Sequence, residues 1–478
     1  MASPTANYNL PGATIDIADL GLRIAAPLPG PKLTLFGSTT STLGGNLQIN
    51  EPFEVSSFPA AIQAVKNADG TDSELSKALE AAVEAGAKRV EMIVVAQTSE
   101  YASANARWDA LATAYRELKD YQMDHVHPCD AYADEEGLSG SDAYGESRTT
   151  FWNQLINFCH RATVVGNTVR GYIGLKPIMK LARDEAWSVA PTTDAEELFT
   201  YPTVAQLNEY ADHIEGIAGT LDSHVADTAL DGYLEGSVEQ SPGVLSSAYT
   251  GWARDEDGSI AVDSKGQDVD GGRYVSMIGI IARQILSSTR TRAAINDFGG
   301  EFSENTNGAT AYAAFCASLQ PNQSPTNKPI QSLVAPRSIP SEVARRLMNA
   351  RIVTMATRSN GFVVVKGVLG AHNAGPYTRS DFVLWSTFNI IITALDLARD
   401  KALHYIGQQS SAEILNALQN DVDTALNTLV QWGLARKVAS SIIQTRDQEI
   451  LGNLDIEINI VPTLEITNIQ FRAMLHRD

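Results

Sequence analysis

Near its end the chain alternates strictly between apolar and polar residues. Leu454, Ile456, Ile458 and Ile460 are separated by Asp455, Glu457 and Asn459, the period of a strand with one face buried. After Pro462, Leu464 and Ile466 begin a second alternation. It shifts phase at Asn468 and resumes at Ile469 and Phe471, as a bulge or bend would make it do. Upstream the period lengthens. Ser410-Ser411-Ala412-Glu413 reads as a capping box. It opens a helix with Ile414, Leu418, Val422, Leu426 and Leu429 on one face and Gly433 as its stop. Asp381–Tyr405 carries the same helical period through Phe382, Trp385, Ile392 and Leu395. Ser341–Arg351 predicts a short helix and Gly361–Val365 a strand.

Earlier in the chain strands and helices take turns. Lys32–Gly37 predicts a strand. The capping sequence Thr71-Asp72-Ser73-Glu74 opens a helix with Leu75, Ala78, Leu79, Ala82 and Val83 on one face, closed by Gly86. Val90–Ala96 reads as a buried strand. Then come a helix over 103–119, a strand over Tyr121–His127, a helix over Thr150–His160 and a strand over Arg170–Leu175. This order predicts a layered α/β domain. Ahead of it, Ala13, Ile15 and Ile17 alternate with Thr14 and Asp16, between Pro11-Gly12 and the proline-rich run 27–31. That segment reads as an extended arm, too poor in apolar residues to fold alone. Residues 188–275 are rich in Asp, Gly, Ser and Pro and predict an inserted, exposed region. Within it, 255–272 reads as a strand pair with Asp-Gly turns. Helical signals return over Tyr274–Ser288.

Charge adds a division that periodicity does not reveal. The 478 residues carry a net charge of -20. Residues 1–329 hold -21 and residues 330–478 hold +1. The acidic balance disfavours nucleic acid as a direct partner, because phosphate binding needs Lys and Arg. The near-neutral last third suits burial against protein neighbours. Three cysteines, Cys129, Cys159 and Cys316, do not make a disulfide framework and fit a reducing compartment. The opening MASPTANYNLPG lacks the basic and apolar regions of a signal peptide. The apolar run Phe388–Leu397, broken by Asn389, Thr393 and Asp396, is too short and polar to span a bilayer. No direct membrane contact is expected.

Candidate chemistry is sparse. His125, His127 and Cys129 fall on one face of a strand, as metal ligands can, but Pro128 interrupts them and no fourth ligand is identifiable. Asp255, Asp257, Asp263, Asp268 and Asp270 lack the spacing and the closing Glu of a calcium loop. The string GFVVVKG lacks the Gly-Lys-Ser/Thr order of a phosphate loop. Asp134, Glu135 and Glu136 read as a solvated loop. No nucleophile elbow, zinc-protease or Cys-x-x-Cys pattern occurs, so neither an enzyme, a cofactor nor a metal site is expected. A soluble α/β enzyme remains the competing class. The informative feature is instead a strand pattern at each end of the chain. Such strands either pair within the chain or add to sheets of neighbouring copies.

Three blocks resemble the contractile phage tail sheath proteins, closer to the compact Mu-like branch. The first is PGPKLTLFGSTTS, NEPFEVSSFPAAI and DGTDSELSKALEAAVEAGAKRVEMIVV. The second is GSIAVDSKGQDVDGGRYVSMIGIIAR. The third runs from RLMNARIVTMATRSNGFVVVKGV to LDIEINIVPTLEITNIQF. The resemblance implies an α/β (α+β) multidomain fold. Its common domain would join the N-terminal arm to the C-terminal third, with an outer α/β and hairpin-rich region inserted. On this chain that gives an arm 1–30, an outer domain 31–187, an exposed insertion 188–335, a tube-facing domain 336–452 and a linking strand 453–478. It further implies hexameric rings stacked around an inner tail tube protein, with baseplate and tail terminator proteins as further partners. Contraction would drive the tube through a target envelope. The linking strands would carry Ala13, Ile15 and Ile17 at one end and Leu454, Ile456, Ile458 and Ile460 at the other. Arg436, Lys437 and Arg446 would face the tube. The virion tail, assembled in the host cytoplasm, would be its location. The sheath of a headless, R-type bacteriocin-like injection particle is the nearest alternative.

Overall fold

The alternation of helices and strands resolves into a sheet wound in both directions from a central strand. The computed structural model describes residues 31–175, 252–284, 305–334, 344, 347–348 and 351–465, with short interruptions inside those ranges. Ala13, Ile15 and Ile17, most of the 188–275 region and the second alternation beyond Glu465 lie outside the described residues.

The sheet begins with β1 (Leu33–Ser38), followed by β2 (Phe53–Glu54), β3 (Val90–Ala96), β4 (His125–Pro128), β5 (Arg170–Gly174) and β6 (Val275–Ile278). A small three-stranded sheet of β7 (Ala282–Gln284), β8 (Asn305–Thr306) and β9 (Leu333–Val334) intervenes before β10 (Ile352–Val353). The large sheet has seven strands in the order β10-β6-β5-β4-β1-β3-β2. Every neighbouring pair is parallel except β2 against β3. Helices α1 (Phe58–Ala64), α2 (Glu74–Glu84), α3 (Ala104–Glu117), α4 (Phe151–Val164) and α5 (Ala309–Ser318) accompany it. Parallel strands need covered faces, and two consecutive residues of β1, which point to opposite faces, show how each is covered. Gly37 lies so close to Leu75 of α2 that an added Cβ would come within 2.9 Å of it. On the other face Phe36 meets Tyr115 of α3 and Phe158 of α4 edge-on, at 5.1 and 6.2 Å between ring centres.

Local signals set the helix ends. Ser73 caps α2 by accepting the Ser76 N–H, so the cap lies two residues beyond Thr71. Gly86, at φ 92°, ends it. The Ala87 N–H returns to the Ala82 carbonyl and the Gly86 N–H to Val83, a Schellman closure.

Two differences from the sequence pattern share one cause. The helix expected over Tyr274–Ser288 is instead a short 3₁₀ turn, Gly271–Tyr274, leading into β6 and β7. All four residues of β6 are buried, and a strand buried on both faces loses its alternation. Helix α5, which periodicity does not reveal, is Ala-rich and buried nearly all round, so it shows no apolar stripe. The 255–272 strand pair is present as bridges Trp252↔Asp270, Arg254↔Ile260 and Val262↔Asp268. The sheet also crosses two of the expected domain boundaries, since β6 and β10 complete the sheet that β1 begins.

His125 and His127 are core residues. His127 Nδ1 lies 2.9 Å from the Tyr172 carbonyl and Nε2 2.9 Å from Thr310 Oγ1. A carbonyl only accepts, so Nδ1 carries the proton and Nε2 accepts from the threonine. Both ring nitrogens are thereby used. Among the described residues no group of three His, Cys, Asp or Glu is placed to hold a metal ion, and no helix is long and apolar enough to cross a membrane. The three cysteines are buried and free.

Candidate assembly surface

The last third forms a second core. After the hairpins β11 (Met355–Arg358) with β12 (Gly361–Val364) and β13 (Asn373–Ala374) with β14 (Thr378–Arg379) come two long helices, α6 (Trp385–Ala402) and α7 (Ala412–Gln431). They are followed by β15 (Ala435–Ile443) and β16 (Asp455–Pro462), paired antiparallel. Ser411 caps α7 by accepting the Ile414 N–H. Gly433, at φ 73°, closes it, with the Leu434 N–H on the Leu429 carbonyl. Leu418, Val422, Leu426 and Leu429 bury their stripe together with Ile390, Ala394 and Ala398 of α6. Val438, Ile442, Leu454, Ile456, Ile458 and Ile460 pack on that cluster from the strands. The alternation at the chain end therefore follows from the strand's own helices: the isoleucines point in, and Asp455, Glu457 and Asn459 are exposed. This core spans the expected boundary at 452/453.

The two edges of the β15–β16 ribbon differ. On β15, Asp423 of α7 accepts from the Ser440 N–H at 3.2 Å and from its hydroxyl at 2.7 Å. Gln419 donates to the Ser440 carbonyl at 2.7 Å and accepts from the Ile442 N–H at 3.1 Å. Partial burial works against the Asp423 charge, but the Ser440 and Gln419 hydrogen bonds outweigh it and hold the carboxyl below its usual value. Ser440 and Ile442 thus turn their backbone groups away from β16 and onto α7. Their partners in register are Ile458 and Ile456. By the alternation of an antiparallel ladder, the backbone groups of Ile456, Ile458 and Ile460 also point away from the pair. Among the described residues β16 has no second strand beside it. Among the described residues, one edge is sealed by side chains of α7 and the other is open.

Arg436 and Lys437 at the start of β15, and Arg446 just past its end, are all exposed. Beside the first two lie Trp432, 46 % exposed, Val461, 50 % exposed, and Leu464, 62 % exposed. The end of the ribbon where Ala435 meets Pro462 therefore combines apolar side chains with cations. Sequence reasoning picked out the cations but not Trp432, which follows a regular helix without a local motif. A cavity of about 280 Å³ lies between α3 and α4 and includes Trp108, Tyr115, Arg116 and Arg161 in its wall. None of its lining residues comes from the carboxyl ends of the strands, where open α/β sheets hold ligands.

No family profile and no curated relative matches the sequence. Solved structures do. The helical sheath of the anti-feeding prophage in its contracted state aligns over 97 % of this chain and 98 % of its own, at 10 % identity and a TM-score of 0.52. The sheath complex of the extracellular contractile injection system PVC, also contracted, aligns over 98 % of both chains, at 9 % identity and a TM-score of 0.52. The chain has the fold of the contractile sheath proteins. The mixed α/β class expected from the sequence is the class of this sheath fold, and the likeness extends over almost the whole chain.

Proposed function

We propose that this protein is the structural subunit of a contractile tail sheath and not an enzyme. Copies would stack as hexameric rings around an inner tail tube, between baseplate and terminator proteins, and contraction would drive the tube through a target envelope. The observation that carries this reading is the open edge of β16 on a chain with the sheath fold. An unpaired edge invites strand addition, and the sealed edge of β15 directs it to one side. An alternating segment of a neighbouring copy, such as Ala13–Ile17, is a suitable strand. Leu454, Ile456, Ile458 and Ile460 then serve twice: their side chains hold the subunit's own core and their outer edge receives the neighbour.

The cationic, apolar end of the ribbon, with Arg436, Lys437 and Trp432, is the proposed face toward the tube, and Arg446 extends it. A contracting lattice must rotate rigid bodies without dissociating, and added strands keep copies connected while contacts change. The neighbours named after an anti-feeding prophage and an extracellular injection system support a headless injection particle as a second reading; a phage virion tail remains the first. The test is polymerisation of purified protein. Deleting residues 1–25 or 466–478 should abolish tubes while leaving a folded subunit. Deleting 454–478 also removes β16 from its own core, so loss of tubes there is not diagnostic. Folded truncated protein that still forms tubes would sink the strand-exchange reading.

A further inference from the structure

The described residues begin at Pro31 and end at Glu465, and a line of hydrogen bonds joins Lys32 to Glu465. Glu465 accepts from the Ser386 hydroxyl at 3.0 Å and from the Thr326 hydroxyl at 3.1 Å. Ser386 stands in the first turn of α6, where no side chain caps the helix and a carboxylate is favoured by the helix dipole. The adjoining Trp385 donates from Nε1 to Tyr172 Oη at 3.0 Å. Tyr172 in turn lies 2.7 Å from His125 Nδ1. The indole is only a donor, so the phenol oxygen accepts from it while the phenol proton faces His125; Cys316 is a further hydrogen-bond partner of the same hydroxyl. The backbone N–H of the same His125 donates to the Lys32 carbonyl at 3.0 Å.

The Lys32 end is anchored as well. Its N–H donates to Asp124 at 2.7 Å, and its ammonium pairs with the buried Glu91 at 3.0 Å and lies 3.2 Å from the Tyr121 hydroxyl. Tyr121 also donates to Glu91 at 2.6 Å. Beyond Lys32, β1 lies between parallel β3 and β4, so a pull along it must shear both ladders together. The line also bypasses the β15–β16 ribbon, although β16 is the element next to Glu465.

We infer that this line is a tensile path, carrying load between the two chain ends through Glu465, Ser386, Trp385, Tyr172, His125 and Lys32, so that pulling on the ends does not peel β16. The purpose rests on the sheath reading, in which both ends are gripped by neighbours. The mechanics do not.

Full-length single molecules stretched in an optical trap from handles attached at residues 31 and 466 provide the test. Wild-type protein should show no early release. Glu465→Gln, and independently Ser386→Ala, should lower the first rupture force. They should also add an early release of roughly 75 Å, the length of residues 444–465 extended at about 3.4 Å each. Tyr172→Phe should act in the same direction. Asp109→Asn, which breaks an ion pair with Arg148 off the line, should leave the first rupture unchanged. An early release in wild-type protein at the same force as in the Glu465 and Ser386 variants would overturn the inference, as would an equal effect of Asp109→Asn. The measurement needs no polymer, so absence of tubes would count against the sheath reading alone.

Discussion

Buried titratable side chains mark where single residues decide stability. Burial holds His127 at a pKa of about 4, opposed by its bond to the Tyr172 carbonyl, and lowers His125 well below 6.5 through burial and then the nearby Arg170 charge. A histidine kept neutral in the folded state contributes full stability above the unfolded value of 6.5. That stability is lost as pH falls through 6.5 toward 4, because the unfolded chain then binds more protons. For His127 alone the loss amounts to roughly 3 kcal/mol. Urea denaturation between pH 7 and 4 should show this decline, and His127→Gln should flatten it. Asp130 has the opposite sign. Burial raises it to about 7, against hydrogen bonds from the Ser38 N–H and hydroxyl. Its ionised form is the costly one, so stability is lost as pH rises from 4 through 7. Asp130→Asn should therefore stabilise the protein at pH 8 and change little at pH 4, measured by the same denaturation series. Gly370 is constrained by space. A Cβ there would lie 2.1 Å from the Trp152 ring, and Gly370→Ala should cost about 1–3 kcal/mol in thermal melts.

Among elements, the β15–β16 ribbon shows how far periodicity reaches and where it stops. Its strand period, the stripe of α7 and the glycine stop at Gly433 were all legible from residues 410–461, because each is written in local spacing. The pairing of Asp423 and Gln419 with the β15 edge was not. Polar residues on a helix read as solvated until the tertiary fold brings a strand beneath them. The same limit hid α5 and turned β6 into an expected helix, since elements buried on every side carry no contrast between faces. Resemblance of phrases identified the sheath fold; hydropathy alone reached only a layered α/β domain with terminal strands. The edge asymmetry makes a sharp prediction for hydrogen exchange. In the unassembled subunit the amides of Ser440 and Ile442 should be protected while those of Ile456, Ile458 and Ile460 exchange quickly; in a polymer the latter three should slow. Leu426→Ala, within the buried stripe of α7, should destabilise the C-terminal core by about 2–5 kcal/mol, seen as faster exchange throughout β15.

At the scale of the whole molecule, the fold has two hydrophobic cores. The seven-stranded sheet, clasped by helices on both faces, holds the larger core. The last third adds a smaller core that ends in an open strand edge and a cationic, apolar surface. The charge division runs the same way, with the acidic balance confined to residues 1–329 and a net of +1 over 330–478. An acidic exterior favours solubility, and a near-neutral segment suits contact with other chains. The open edge and the cationic, apolar surface are the features on which the proposed assembly rests. The most direct test is negative-stain electron microscopy of the purified full-length protein over a range of concentrations and salts. The account predicts hollow tubes or stacked rings with helical order, lost on removal of residues 466–478. Strictly monomeric, folded protein under every condition would contradict it.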